Sequence, residues 1–436
     1  MTDSISDWSK THFTSEIVPA LDGKKVTLMG WVRDVRLHGN LAFIVLADRE
    51  GDSQVTVLKK NSEKAFKKLG DITRESAIAI KGTVKKTDKT NRGVEVILED
   101  IKLLNKSKTP LPLEVNEKVL AELDTRLDAR VLDLRKPRIS AIFKIRAQVL
   151  QSARNYLTES KFVEVETPKM IATATEGGAE LFPIKYFEKK AFLRQSPQIY
   201  KELMTSCFEK VFEIGPVFRA EPSDTTQHLS EVTQLDIEMG FATEKDTLDV
   251  FDKILKRIYS DVAKNCKREL EVLDVKLKQP KDIVIKTYTE ILKELGKKGF
   301  KLKWGDDIPP EGERLITEIF KAPVIISEYP YALKPYYIHQ HETDKKLSYG
   351  FDLILEGMEL ASGGRRVHDP DDYVAGLKAK GMDPKGFEPI TEFYRYGMPP
   401  HAGWAIGVDR LVMVMLGLPN VREAVLFPRD AKRLTP

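Results

Sequence analysis

At 436 residues the chain is too long for one ordinary hydrophobic core, so two or three domains are expected. It is 42% hydrophobic and 31% charged, a globular composition, and no run approaches the ~20 apolar residues that span a bilayer, which argues against a membrane protein. The formal net charge of +4 does not by itself predict nucleic-acid binding, and Cys207 and Cys266 stand outside any CxxC or Cys/His cluster, which argues against a zinc site or a disulfide framework.

The first residues, MTDSISDWSKTHF, have neither the basic nor the apolar region of a secretory signal, so a cytoplasmic protein is expected. From Lys25 to about Asn105 the segments VTLMGWV, LAFIVLAD, DSQVTVL, AIAIKGTV and GVEVILED read as short strands, with Gly or Asp between them. Five strands and a helical stretch over 62–68 are the content of an OB-fold barrel, with a generic small β-barrel as the alternative. The lysine pairs at 59–60, 67–68 and 85–86 fit either a phosphate-binding patch or a solvated face. KSKTPLPLEV, with two prolines, reads as a linker, giving expected boundaries of 1–105 for the barrel, 106–140 for the hinge and 141–436 for a second domain.

In that second domain Ile142, Ile145, Val149, Ala153 and Leu157 recur at helical spacing, and FVEVETP (162–168) alternates like a strand. Further helical patterns cover 244–264 and 288–295. No GxxxxGK[ST] or GxGxxG follows a strand, so neither a P-loop nor a Rossmann site is expected. VFEIGPVFRAE (211–221) and HLSEVTQLDIEMGF (228–241) read as a long hairpin. Strand alternation puts Glu213, Arg219 and Glu221 on one face, and Gln234, Asp236 and Glu238 on one face of the second strand. GMPPHAGWAIGVDRLVMVMLG (397–417) passes from turns through a small-residue strand into an apolar helix. There Gly403 and Gly407 would admit a close approach, and Arg410 would enter at the helix start.

These segments together resemble the class II aminoacyl-tRNA synthetases: FVEVETP as motif one, FRAE and its hairpin as motif two, GWAIGVDR as motif three, in that order behind an OB-like domain. ATEGGAELF (174–182), QSPQIYK (195–201), FDLILEGMELASGGRRVHDP (351–370) and YGMPPHAG (396–403) are similar to the aspartyl branch of archaeal and eukaryotic type. Asparaginyl enzymes are the nearest rival, and a nucleic-acid-binding protein with an inactive synthetase domain is a rival of another class. Lys201 and the HDP of 368–370 favour aspartate.

The resemblance implies an α+β protein, an OB-fold barrel followed by a mainly antiparallel sheet flanked by helices. It implies ATP-dependent activation of L-aspartate with Mg2+, charging of tRNA(Asp), with tRNA(Asn) left open as a second acceptor, and a homodimer built on motif one. Glu176 and Asp236 would hold the substrate ammonium, with polar contacts from Ser196, Gln198 and Ser362, and with Lys201 and Arg366 on the side-chain carboxylate. Asparagine would leave those two cations uncompensated, at a cost of about 3–5 kcal/mol. Arg219 and Arg410 are the expected catalytic groups, on the α-phosphate and the far phosphates. Glu221, His228, Glu359 and Gly407 would also line the ATP site, and Trp404 would wall the adenine. Asp352 and Glu359 are the expected magnesium ligands, provided that Glu356-Gly357 turns the chain. On the barrel, Phe43 would stack on an anticodon base and Gln54 would read one, while barrel core remains the alternative for Phe43. Arg33 falls where related enzymes vary with tRNA choice.

Overall fold

Period-two alternation builds the first of two units, residues 1–139 and 140–436. The computed structural model describes residues 2–172, 181–222 and 225–436. Strands β1 (Lys25–His38), β2 (Leu41–Asp48), β3 (Gly51–Leu58), β4 (Ala77–Lys86) and β5 (Val94–Asn105) close into a barrel in the order β1-β2-β3-β5-β4. A helix, Glu63–Lys68, follows β3. Ala42, Ile44 and Leu46 point inward and are buried, as are Val55 and Val57 on β3. Phe43 lies between two inward residues and is only half-buried, so it belongs to the outer face and not to the core. The proline-rich stretch 106–115 holds neither helix nor strand, and short helices follow at Leu123–Asp128 and Arg130–Asp133. Arg33 is spoken for within this unit: its Nη1 lies 2.5 Å from Glu75 and its Nη2 donates to the Arg135 carbonyl at 2.8 Å.

In the second unit, β6 (Val163–Glu164), β10 (Lys210–Phe218), β11 (Glu231–Gly240), β12 (Val284–Thr287), β13 (Val324–Ser327), β14 (Gly350–Leu355), β15 (Met358–Arg365) and β16 (His401–Gly407) form one sheet. Its order is β12-β13-β14-β15-β16-β11-β10-β6, antiparallel except at β12/β13 and β10/β6. A small separate sheet holds β7 (Met170–Ile171), β8 (Pro183–Tyr186) and β9 (Lys189–Leu193). Motif one contributes only two strand residues, Val163 and Glu164, which pair in parallel with Val211 and Phe212 of β10. Among the described residues, no helix is long and apolar enough to cross a membrane.

The register of β11 against β16 sorts the central sheet into two unlike faces. On one, Leu235 meets Ile406, Ile237 meets Trp404 and Met239 meets Ala402. Helices Pro137–Glu159 and Glu244–Asn265 cover that face, and their buried residues share one core with it. Trp404 therefore packs inside: it is fully buried, edge-on to Phe251 at 4.8 Å, and its indole donates to the Thr247 carbonyl at 3.0 Å. It cannot wall an adenine site, because strand alternation sends it to the face away from Asp236. On the other face Gln234 meets Gly407, Asp236 meets Ala405 and Glu238 meets Gly403. Charged side chains thus stand opposite the smallest residues, and space is left above them.

The first unit is fastened to its N-terminal segment by Asp48 at the end of β2. Its carboxylate receives Lys10 Nζ at 2.6 Å, Thr14 N at 2.9 Å, Thr14 Oγ1 at 2.7 Å and Glu50 N at 2.9 Å. Burial alone would raise the Asp48 pKa, but these donors outweigh it and hold the group below its ordinary value. A depressed carboxylate contributes stability that is full above the unfolded value of about 3.9 and is lost as pH falls through the lower folded value. Asp48→Asn should lower the stability of the barrel by about 1–2 kcal/mol at pH 7. In urea unfolding of the full chain the difference from the parent should shrink below pH ~4, and a difference independent of pH would exclude the carboxylate as its source.

Candidate active site

A cavity of about 310 Å³ opens over the charged face of the sheet. Its lining includes Ser196, Gln198, Arg219, Glu221, His228, Asp236, Glu359, Ser362, Arg366, Gly407 and Arg410, so the structure brings these expected site residues together. Gln227, Gln234 and Tyr337 join them. Glu176 lies outside the described residues.

One end of the cavity is ionic and paired. Helix Gln198–Phe208 carries Lys201, whose Nζ lies 3.1 Å from Asp236 Oδ1 and 3.3 Å from Glu238 Oε2. Arg366, just past β15, grips Glu238 side-on, Nε to Oε1 at 2.9 Å and Nη2 to Oε2 at 3.3 Å. All four side chains are buried. Burial pushes the Asp236 carboxyl up, with Lys201 pulling the other way. Glu238 ends below the ordinary range, because Arg366 and Lys201 outweigh its burial. Glu238 was missed as a site residue, although its period-two relation to Asp236 was visible. Its presence corrects the expectation of two uncompensated cations: both are already matched by carboxylates. It also gives Gly403 its reason, since a Cβ there would run into the Glu238 carboxylate and the Ile237 carbonyl.

The other end is cationic and open. β10 ends at Phe218, so Arg219 and Glu221 belong to the loop beyond it and not to a continued strand; their nearest charged atoms are 4.0 Å apart. Arg410 sits in the first turn of helix Val408–Leu416, donating from Nε to Gln227 O at 3.3 Å and from Nη1 to Glu359 O at 3.1 Å. Its neighbour Asp409 pins that helix to β11, accepting Thr233 N at 2.8 Å and meeting Arg146 Nη1 at 2.5 Å. Burial, then the Arg410 charge, lowers the His228 pKa, so His228 is neutral near pH 7. Its Nδ1 lies 2.6 Å from Thr225 Oγ1.

Asp352 and Glu359 are joined by the turn at Glu356-Gly357, where φ is +49° and +78°. This two-residue turn pairs Ile354 with Glu359 and so puts Glu359 on the face of Asp352; a bulge then brings Ser362 opposite Asp352. Asp352 Oδ2 takes Lys334 Nζ at 2.5 Å, while Oδ1 is buried without a hydrogen-bond partner among the described residues. Burial and the Asp352 carboxylate push Glu359 up to about 8. Two crowded carboxylates with an orphaned oxygen fit a hard divalent cation. Among the described residues no group of three or more His, Cys, Asp or Glu forms a cage. The protein would therefore supply two ligands and leave the rest to phosphates and water. Lys334 and Glu313, which accepts Glu359 N at 3.1 Å, carried no sequence signal. The aspartate of the HDP segment does other work: Asp369 caps helix Pro370–Ala379, accepting Asp371 N at 2.8 Å and Asp372 N at 3.0 Å.

On the barrel, Phe43 pairs with Thr56 and Val45 with Gln54, so Phe43 and Gln54 share the outer face. Gln54 Nε2 donates to Glu95 Oε2 at 3.3 Å, and Thr56 Oγ1 donates to the same oxygen. The Gln54 carbonyl oxygen is thus the end turned away from Glu95.

Residues 122–431 match the family described as tRNA synthetases class II (D, K and N), and residues 26–104 match the OB-fold nucleic acid binding domain. The chain is 51% identical over 427 residues to an aspartate–tRNA(Asp/Asn) ligase of Archaeoglobus fulgidus, covering 97% of this chain and 99% of that one. It is 45% identical over 435 residues to the ligase of that name from Methanothermobacter thermautotrophicus, covering 99% and 100%. Among solved structures, asparaginyl-tRNA synthetase of Pyrococcus horikoshii with asparaginyl-adenylate superposes with a TM-score of 0.92 at 34% identity, over 98% of this chain and 100% of that one. A putative aspartyl-tRNA synthetase of Leishmania major gives 0.90 at 29%, over 100% and 97%. With both domains matched and the ionic and cationic ends of one cavity in place, the chain belongs to the class II tRNA synthetases of the aspartate, lysine and asparagine group.

Proposed function

We propose that the chain activates L-aspartate with ATP and transfers it to the 3′ end of tRNA(Asp), with tRNA(Asn) as a second candidate acceptor named by its relatives. The carrying observation is the charge balance at the ionic end. Lys201 and Arg366 face Asp236 and Glu238, so the four sum to zero. When Asp236 turns to the substrate ammonium, Glu238 remains between two cations and one positive charge is left over. A side-chain carboxylate answers that charge. Glu238 occupies Nε and Nη2 of Arg366, which leaves the Nη1 edge for the substrate. Asparagine would leave the surplus charge buried and unmatched, and truncating such a pair typically costs about 3–5 kcal/mol.

In the first step an oxygen of the aspartate α-carboxylate attacks the α-phosphorus, and the bond to the pyrophosphate oxygen breaks. A carboxylate is already deprotonated near neutral pH, so alignment and charge neutralisation are what the protein provides. Arg219 meets the charge that builds at the α-phosphate, Arg410 holds the far phosphates, and Glu221, neutral His228 and Gly407 bound the nucleotide. Asp352 and Glu359 would hold magnesium, which when bound would supply charge neutralisation for the phosphates. In the second step the terminal ribose hydroxyl attacks the adenylate carbonyl and AMP leaves. The barrel reads the anticodon through Phe43 and Gln54, with residues 106–140 as the hinge. The edge strand β6, with Val163 exposed, supplies a dimer surface, and the absence of a membrane-crossing helix among the described residues fits a cytoplasmic enzyme.

ATP–pyrophosphate exchange should proceed with aspartate and magnesium and fail with asparagine; exchange with asparagine alone would mean that the ionic end is misread. Arg219→Ala should depress exchange by a factor of roughly 10²–10³ with the melting temperature unchanged, and normal exchange would remove Arg219 from the reaction. Phe43→Ala should leave exchange intact while raising the KM for tRNA about 10- to 100-fold, the worth of one stacked base. An unchanged KM would return Phe43 to a structural role.

A further inference from the structure

One buried carboxylate beside the cavity has no part in the reaction described so far. Glu202 follows Gln198 by one helical turn and is fully buried. Its Oε1 accepts the Gln198 side-chain amide, and its Oε2 accepts the Tyr394 hydroxyl. Buried His401 presents Nε2 to the same Oε2 at 3.5 Å, while its Nδ1 is 2.8 Å from the Pro399 carbonyl and carries the proton for that bond. Gln198 is itself buried, and its main chain is fixed by a hydrogen bond from its backbone N to Ser196 Oγ at 3.2 Å.

A glutamine amide is ambiguous: one end donates and the other accepts, and either could face a ligand. A carboxylate removes the ambiguity, because it only accepts. With Glu202 behind it, Gln198 must turn its NH2 inward and its carbonyl oxygen to the cavity. We propose that Glu202 is a positioning residue that fixes Gln198 as a hydrogen-bond acceptor for the α-ammonium of the amino acid, in the cavity that Asp236 also lines. The inference rests on the reading of aspartate as substrate. A flipped amide would place its own N–H groups against an ammonium, so the orientation decides between attraction and repulsion. The Tyr394 hydroxyl satisfies the far oxygen, which lets the carboxylate be buried, while the near oxygen alone meets Gln198.

The test compares aspartate with succinate, the same dicarboxylate without the ammonium, in the full-length protein. Aspartate KM and the inhibition constant of succinate are both read in pyrophosphate exchange. Glu202→Met keeps the length and removes the acceptor; it should raise the aspartate KM roughly 10- to 100-fold while the succinate constant and the ATP KM hold. Glu202→Gln can still accept on its amide oxygen, with the Tyr394 oxygen taking its N–H, and should keep aspartate KM within about twofold of the parent. Tyr394→Phe should lower the melting temperature without changing the ratio of the aspartate and succinate constants. Equal weakening of both dicarboxylates in Glu202→Met, or an equal change of the ratio in Tyr394→Phe, would reduce Glu202 to a structural role and overturn the proposal. So would an aspartate KM that does not move. Absence of any exchange with aspartate in the parent would instead strike the substrate reading, a separate failure.

Discussion

Everything in the catalytic unit is arranged around four charges held out of water: Lys201, Asp236, Glu238 and Arg366. Taking each from solvent costs several kcal/mol even after relaxation, so such a group persists only with its partners in good geometry. The sheet provides that geometry through alternation. On β11 the residues between Asp236 and Glu238 and on either side of them are large and apolar, and they lock the strand to two long helices on its far face. The charged residues are then fixed on the near face at a known height, with Gly403 and Ala405 opposite them. The small residues of β16 are the price of the network, since any larger side chain would occupy the volume where the carboxylates and their cations meet.

The two ends of the cavity solve opposite problems. The ionic end is complete in the free protein, each charge already matched, and the proposed discrimination rests on the balance that a ligand would upset. The cationic end is incomplete. Arg219 and Arg410 face the cavity with few carboxylate partners, Asp352 keeps a buried oxygen unpartnered, and Glu359 is pushed up to about 8 by burial and its neighbour. These are the signs of groups arranged for charges that the ligand brings. A polyanion relieves the repulsion between the arginines, and a cation relieves that between the acids. Stabilisation placed in advance where charge will develop needs no rearrangement at the moment of reaction. The pinning of helix Val408–Leu416 by Asp409 to Thr233 and Arg146 keeps Arg410 from relaxing toward solvent in the meantime.

How far the sequence could be read follows from the range of the interactions. The barrel strands were legible because turn residues punctuate them and apolar residues alternate within them. The faces of β11 were legible for the same reason. The extent of motif one was not: FVEVETP alternates over its length, but parallel pairing with β10 holds only Val163 and Glu164. The face of Trp404 follows from alternation and not from resemblance: next to Ala405 on β16, it points into the core. Arg219 and Glu221 were read onto a strand that stops at Phe218. Lys334, Glu313 and Glu202 left no trace, since their roles depend on partners brought from distant segments or on a side-chain hydrogen bond that spacing cannot reveal. Asp369 shows the converse. A residue that helped to suggest the substrate turns out to start a helix, one of the commonest uses of an aspartate before a proline.

The glutamines make the same point at the level of single atoms. Gln54 on the barrel and Gln198 in the cavity each have an amide NH2 bound to a carboxylate, Glu95 in one case and Glu202 in the other. In both, the carbonyl oxygen is left as the free end. A sequence can show that a glutamine stands at a reading position, but not which end it offers, because that is decided by the residue behind it. Pairing with a carboxylate converts a two-way group into a fixed acceptor. It does so at modest cost, because the carboxylate keeps further donors, Thr56 at Glu95 and Tyr394 at Glu202, that satisfy it in the absence of any ligand. The orientation is therefore set before a ligand arrives, and a ligand that offers an acceptor where a donor is required meets a carbonyl that cannot turn.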